Sequence, residues 1–266
     1  MTGRREASAV ETTFNFPGSI AVVTGASSGL GRRIALDLAA RGATVIGIAR
    51  REDVLQQVAA EMQRSSPSSG YVACDVSDTD KFASLLSDLE AAHGRIDLLV
   101  NDAGIGEPDG DGIEKYRTVF ETNFFAVVAG TLAVLPGMVE RGSGVVVNVS
   151  SDTGRAPGAA EPAYSASKAA LSAFTESLSY TVEDRGVRLH VLYPGFVPTP
   201  MTAGSDPTKV PRFVRRTEHQ VSQTLLRGLG RPRVEIDATR VARFAPVARA
   251  LVPGAYRRGV KSFTPS

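Results

Sequence analysis

An α/β fold, a doubly wound parallel sheet with helices on both faces in a single domain, is what this sequence predicts. Three observations carry it. Short β-branched runs alternate with helix-like segments along most of the chain. Most of those runs are apolar nearly throughout, as strands covered on both faces are. A glycine-rich turn, Thr24-Gly25-Ala26-Ser27-Ser28-Gly29-Leu30-Gly31, lies between the first run and the first helix, where such sheets bind ligands at the carboxyl ends of their strands.

Ile20–Val23 is the first predicted strand, and Leu30, Ile34 and Leu38 recur every four residues in the helix after it, with Arg32, Arg33, Asp37 and Arg41 falling elsewhere. Gly42 supplies the stop. Thr44–Ile48 and Tyr71–Cys74 are the next strands, and Ser77-Asp78-Thr79-Asp80 has the pattern of a capping box opening a helix. Ile96–Val100, Val145–Val149 and Val187–Leu192 continue the series, with long helices predicted over Thr122–Val139 and Ala163–Val182. Right-handed crossovers between such units give one parallel sheet. After Pro200 the alternation fades: Met201 to Gly230 is polar and helical in pattern, and Val234-Glu235-Ile236 is a short strand that would close the sheet. The expected organisation is a flexible leader over 1–16 and a single catalytic domain over 17–266. Within it, 199–230 would be a substrate lid and 231–266 a basic C-terminal segment.

The 266 residues, 42% hydrophobic, suffice for a sizeable core, and a net charge of +2 points to neither nucleic acid nor an acidic substrate. The single cysteine, Cys74, excludes an intramolecular disulfide framework and a cysteine-rich zinc site, and fits a reducing compartment. His93, His190 and His219 have no metal-ligand spacing, so no metal is expected. Met1 to Phe16 lacks a signal-peptide apolar core. The longest uncharged apolar run, Phe124 to Val139, falls short of the roughly 20 residues needed to span a bilayer and contains Pro136. A soluble cytoplasmic protein is the expectation.

Chemistry concentrates in Tyr164-Ser165-Ala166-Ser167-Lys168. Four residues apart on a helix, Tyr164 and Lys168 share a face, and an ammonium beside a phenol favours the phenolate. The expectation is therefore a Tyr164 pKa lowered toward working pH, suited to proton exchange with a carbonyl/alcohol pair. Ser151 lies thirteen positions upstream of Tyr164, at the end of an apolar strand. In the turn at Thr24–Gly31, glycines let the backbone approach a pyrophosphate, whose charge the free N–H groups of the helix N-terminus stabilise.

Taken with Asp75-Val76, Asn101-Asp102-Ala103-Gly104, Asn123, Ser150-Ser151 and Pro194-Gly195…Thr199, these residues resemble the short-chain dehydrogenase/reductase family, from about Ser19 to Met201. The resemblance implies a Rossmann-type fold, a nicotinamide cofactor, and hydride transfer to or from a carbonyl carbon. By that resemblance Tyr164 is general acid in reduction and general base in oxidation. Lys168 lowers its pKa and binds the nicotinamide ribose, and Ser151 donates a hydrogen bond to the substrate oxygen. Asn123 ties Lys168 through water to a proton relay. Cofactor contacts carry over to Gly25, Ser27, Ser28, Gly29, Leu30 and Gly31 of the turn and to Arg50, Arg51, Asp75 and Val76. They carry over equally to Asn101, Ala103, Gly104, Tyr164 and Lys168, and to Pro194, Gly195, Val197 and Thr199. The chain departs from the family pattern at Asp102, usually Asn, which bears on the hydrogen bonds bracing that strand end.

The second strand ends Ala49-Arg50-Arg51. An NAD-specific site would place an acid there for the ribose hydroxyls, whereas a guanidinium suits a 2′-phosphate. NADP(H) is the expected cofactor, with Glu52 or Asp53 on the ribose as the alternative. A carbonyl reductase, reversible as an alcohol dehydrogenase, is the expected function. An NADP-sensing scaffold on the same fold is the alternative, and epimerisation of sugar nucleotides is disfavoured by the short C-terminal part. Candidate substrate-lining residues are Asp152, Thr153, Pro157, Glu161, Phe196, Met201, Phe213 and Val214, with Asp152 expected to face solvent. Ala169, Ala170, Ala173, Phe174 and Leu178 form an apolar set on the Tyr164 helix, pointing to a homodimer or homotetramer. From Arg227 to Ser266 nine Lys/Arg face two acids, and Val241, Phe244, Ala248 and Leu251 recur at helical spacing. Such a stripe is expected to pack over the pocket or a partner subunit, with an anionic membrane surface as the alternative.

Overall fold

The computed structural model describes residues 14–204, 210–239 and 241–262. Seven strands form one parallel sheet in the order β3-β2-β1-β4-β5-β6-β7. They are β1 (Ile20–Thr24), β2 (Thr44–Ala49), β3 (Gly70–Ala73), β4 (Leu98–Asn101), β5 (Gly144–Val149), β6 (Val187–Tyr193) and β7 (Glu235–Asp237). The strand order reverses direction between β1 and β4, which opens a crevice at their carboxyl ends. This is the doubly wound, Rossmann-type arrangement.

Why the strands are continuously apolar is visible in their two faces. Val22, Ile46, Leu99 and Val146 stand in one row across the sheet. They pack with Phe82 and Leu86 of α3 (Thr79–His93) and with Val134 and Met138 of α5 (Ala126–Glu140). Their neighbours Val23, Val45, Val100 and Val147 point the other way. These meet Ile34 and Leu38 of α1 (Gly29–Ala39), Leu55 and Val58 of α2 (Glu52–Gln63), and Val221 and Leu225 of α7 (Glu218–Gly228). Each fully buried aliphatic of this kind contributes about 1.5–3 kcal/mol.

Several elements differ from the sequence expectation. β4 begins at Leu98 rather than Ile96, because the Asp97 carboxylate accepts the Ile20 amide at 2.8 Å and pairs with Arg95 at 2.9 Å. The cap of α3 is Asp78, which accepts from the Lys81 amide; Ser77 instead donates to Asp75. The helix expected at Thr122 starts earlier, as α4 (Ile113–Phe120), and passes through a π-helical turn, Glu121–Phe125, into α5. The whole run Ile113–Glu140 is long and apolar enough to cross a bilayer by length and composition, but its inward residues are sheet-packing core.

The leader drawn to residue 16 ends sooner. Phe14 and Phe16 stack edge to face and pack on the core, and the Arg41 guanidinium lies 5.0 Å from the Phe16 ring. Residues 1–13 lie outside the described residues. The lid drawn over 199–230 also splits. Residues 205–209 lie outside the described residues, whereas α7 is a structural helix docked on α1, with Arg41 donating to Gln223 at 2.8 Å. At the C-terminus, α8 (Val241–Leu251) and α9 (Pro253–Ser262) carry the anticipated stripe, but it points outward: Phe244 is 63% and Leu251 76% exposed. The expectation that this stripe packs over the pocket is therefore overturned.

Candidate active site

The carboxyl ends of β1, β4, β5 and β6 and the start of α6 (Pro162–Val182) converge on the sequence-predicted residues. The β1–α1 turn needs glycine twice for its backbone: Gly25 and Gly29 have φ of +71° and +55°. Gly31 needs it for space, since a Cβ there would stand 2.6 Å from the Gly25 carbonyl and 2.7 Å from an Asp102 carboxylate oxygen. Opposite Gly29 the Thr199 methyl lies 3.4 Å from where a Cβ would stand, so the β6 loop crosses over the turn. Leu30 points into the core. Thr24 fastens the turn to β4, its hydroxyl oxygen accepting the Asp102 and Ala103 amides at 3.0 Å each.

At the β2 end the Arg51 guanidinium donates to the hydroxyls of Ser27 and Ser28 at 3.0 and 3.1 Å. Arg50 stands 3.9 Å from Asp75, whose carboxylate accepts from the Ser77 amide and hydroxyl. Val76 is buried behind it. The α1 N-terminus, which no side chain caps at Ser28, the glycine cradle and the cationic rim together fit the pyrophosphate and adenosine portions of a nicotinamide dinucleotide. Gly104 lies between Asn123 and Lys168: a Cβ there would stand 3.0 Å from Asn123 Oδ1 and 3.6 Å from Lys168 Nζ. Past β6, Gly195 has φ +77°, and a Cβ would meet Thr239 at 2.5 Å. Val197 is buried below.

Asn101 also has a structural task. Its side chain is buried and donates to Asn148 Oδ1 at 2.9 Å, and Asn148 in turn donates to Thr175 at 2.9 Å. It therefore braces β4, β5 and α6 from inside. Asn148 and Thr175 had no local sequence signal.

Tyr164 and Ser151 lie near enough for the Ser151 hydroxyl to favour the Tyr164 phenolate. Ser151 Oγ also accepts from the Thr153 amide at 3.2 Å and the Thr153 hydroxyl at 3.1 Å, which frees its own proton for donation. Burial pushes the Tyr164 phenol up to about 12, with the Ser151 hydroxyl opposing. Lys168 is buried, donates from Nζ to the Val149 carbonyl at 2.8 Å, and is pushed down to about 8 by burial against the pull of Asp102. Its Nζ stands 5.8 Å from the Tyr164 ring centroid. The expected lowering of the Tyr164 pKa is thus reversed: desolvation, helped by the carboxyls of Glu161, Asp102 and Asp152, outweighs Ser151, and Tyr164 holds its proton at neutral pH.

Asn123 is fully buried in the π turn. It accepts the Ile105 amide at 2.8 Å, donates to the Ile105 carbonyl at 2.9 Å, and donates to Ser167 at 3.3 Å. It reaches the backbone after β4 rather than Lys168 itself. π turns of this kind recur at functional sites because the extra residue re-aims a side chain.

Two residues were missed or misread. Glu107 accepts the Tyr164 amide at 2.8 Å and pairs with Lys115 at 2.9 Å, placing a carboxylate on the N-terminus of α6. Lys115 holds that carboxyl below its ordinary range, together with the α6 amides, against the opposing effect of burial. Asp152, expected in solvent, is partly buried and accepts from the Thr239 hydroxyl at 3.2 Å through Oδ2, and burial raises its pKa. Beside it Arg155 bridges Asp237 and Glu235 at 2.5 Å each and lies 3.4 Å from the Tyr193 ring. These contacts fix the turn after Ser151 to β7.

A phenol, a hydroxyl donor and a buried ammonium beside a dinucleotide cradle define an oxidoreductase site. The family model described as short chain dehydrogenase matches residues 19–209, and the chain belongs to the short-chain dehydrogenase/reductase family. A short chain dehydrogenase of Pseudocercospora fijiensis is 39% identical over 194 residues, 71% of this chain and 63% of that protein. This chain thus spans less than two thirds of that relative. A fatty acyl-CoA reductase of Acinetobacter baylyi is 32% identical over 90% of this chain and 82% of its own. The structure of L-sorbose reductase from Gluconobacter frateurii, complexed with NADPH and L-sorbose, superposes with a TM-score of 0.75 at 25% identity, covering 85% of this chain and 98% of that one.

Proposed function

We propose that the chain is an NADP(H)-dependent reductase of ketones or aldehydes. The observation that carries the cofactor preference is the Arg51–Ser27–Ser28 cluster beside Arg50, at a strand end where Ala49 leaves no acid. Two guanidiniums and two hydroxyls suit a 2′-phosphate, and no carboxylate stands at Ala49 to receive ribose hydroxyls. The NADPH bound in the sorbose reductase agrees with this choice.

In the reductive direction Tyr164, which burial keeps protonated at neutral pH, is the proton donor. The bound nicotinamide supplies the hydride. Ser151 and Tyr164 hold the carbonyl oxygen by two O–H donors, polarising the carbon, and Tyr164 releases its proton to that oxygen. Lys168, beneath them, offsets the negative charge this leaves on the phenol. Glu107 holds the first turn of α6, and so Tyr164, in place.

The chain also self-associates. Ile113, Tyr116, Phe125, Leu132 and Tyr180 are large apolar or aromatic side chains exposed along α4, the π turn, α5 and α6, and α6 also carries the apolar set Ala169, Ala170, Ala173, Phe174 and Leu178. Light scattering on the purified protein is expected to give a dimer or tetramer, and a monomer at micromolar concentration would reject this.

The test of function is NADPH consumption against a panel of ketoses, fatty aldehydes and acyl thioesters, the last two prompted by the acyl-CoA reductase relative. Loss of NADPH in step with product is expected for at least one class. Tight NADPH binding with no turnover on any member would favour the sensing alternative.

A further inference from the structure

The central strands of this protein bury nearly all of their apolar side chains, yet after β7 the pattern inverts. Phe244, Val247, Leu251 and Val252 are between 52% and 76% exposed. On α8, Phe244, Val247 and Leu251 follow at intervals of three and four, one helical face turned outward. The charge around that face is of one sign. From Ala238 to Ser266 there are six Lys/Arg and no acid, leaving −4 on the rest of a +2 chain. Arg243, Arg249, Arg257 and Arg258 are exposed.

We propose that α8 and α9 dock the protein on an anionic phospholipid bilayer, with the carboxyl-end face of the sheet toward the lipid. An outward apolar stripe flanked only by cations is the pattern of a helix lying in the headgroup region. A two-fold contact with a second copy would set the exposed Arg243, Arg249, Arg257 and Arg258 of each copy near those of the other, whereas an anionic surface complements them. Pro246 and Pro253 are no obstacle, since two short surface helices suffice where no span is required.

The placement follows from topology. α8 leaves the carboxyl end of β7, the end where the site lies. Its first anchor, Thr239, hydrogen-bonds Asp152, the neighbour of Ser151, at 3.2 Å. Met201 and Phe213, 50% and 60% exposed, lie on the segments after β6 at that same end. A carbonyl compound dissolved in the bilayer would thus meet the site mouth from the lipid side. The proposal concerns where the site is presented and stands whichever carbonyl is reduced.

Full-length protein is floated with vesicles of phosphatidylcholine alone or phosphatidylcholine mixed with phosphatidylglycerol, at low and high salt. Two exposed pairs are varied: Phe244→Ser with Leu251→Ser, and Arg243→Glu with Arg249→Glu. Thermal melting and NADPH titration confirm that each variant folds. Binding to the anionic vesicles at least about tenfold above neutral ones is expected, weakened by salt and reduced about tenfold or more by either pair. No flotation of folded wild type, or flotation indifferent to both pairs, overturns the proposal. A change in oligomeric state by light scattering with flotation unaffected would assign the face to a second copy and also overturn it.

Discussion

The part of the chain up to Thr199 and the part after β7 follow opposite rules. In the first, polar side chains are turned inward and used up: Asn101, Asn148 and Thr175 bond in series within the sheet–helix interface, and Asn123 is spent on the Ile105 backbone. In the second, apolar side chains are turned outward and cations surround them. The difference separates two tasks. Fixing a phenol, a hydroxyl and an ammonium for proton transfer demands a rigid, internally satisfied frame. Presenting that frame to its surroundings demands an unsatisfied surface.

The largest effect should come from the most committed residue of the frame. Tyr164→Phe removes the proton donor while leaving the phosphate turn intact, so turnover should fall by about 10²–10⁴-fold with NADPH affinity nearly unchanged. Steady-state rates beside a fluorescence titration would show it, and wild-type turnover in the variant would dismiss Tyr164 as the acid. Next in size, Asn148→Ala removes the acceptor 2.9 Å from the Asn101 amide, leaving it only Thr131 at 3.4 Å, and removes the donor to the Thr175 hydroxyl, at a cost of about 1–3 kcal/mol. The denaturant midpoint measures this; a loss under about 0.5 kcal/mol would mean the chain of hydrogen bonds does not brace the frame.

Between the frame and the surface lies the cofactor rim. Arg51→Asp should shift the ratio of efficiencies with NADPH and NADH toward NADH by roughly tenfold or more, since a carboxylate repels a 2′-phosphate. An unmoved ratio would remove Arg51 from the phosphate site. The smallest effect concerns Asp102, where the family pattern has Asn. Burial raises its carboxyl to about 7, with Lys168 and the Gly31 amide opposing. Below that pH it is uncharged, and above it a negative charge adjoins the turn that holds the pyrophosphate. NADPH affinity of wild type should therefore weaken, relative to Asp102→Asn, by a few-fold as pH rises from about 6 to about 8. Parallel pH profiles for the two proteins would contradict this.

How much of this was readable beforehand depends on the range of the forces involved. The strands and the Ser151, Tyr164 and Lys168 positions were legible, because alternation, turn chemistry and motif order are local. The sign of the Tyr164 shift was not: four-residue spacing reports the neighbouring ammonium but not the desolvation, and desolvation dominates. The π turn at Glu121–Phe125 likewise depends on Asn123 finding the Ile105 backbone eighteen residues away. Asp152 lacked a local cue because its partner, Thr239, arrives from the segment after β7, 87 residues away. The stripe of α8 was seen, but periodicity gives the same pattern for a face turned in or out.

The central claim is hydride transfer from NADPH onto a carbonyl carbon at the Ser151–Tyr164 pair. It is tested most directly by giving the enzyme its best carbonyl substrate from the panel, with equal amounts of unlabelled NADH and of NADPH deuterated at the transferring carbon. Mass spectrometry of the product alcohol should find deuterium at the former carbonyl carbon in most molecules. Product formed mainly without deuterium would contradict the NADPH preference, and no reduced product from either cofactor would contradict the reaction itself.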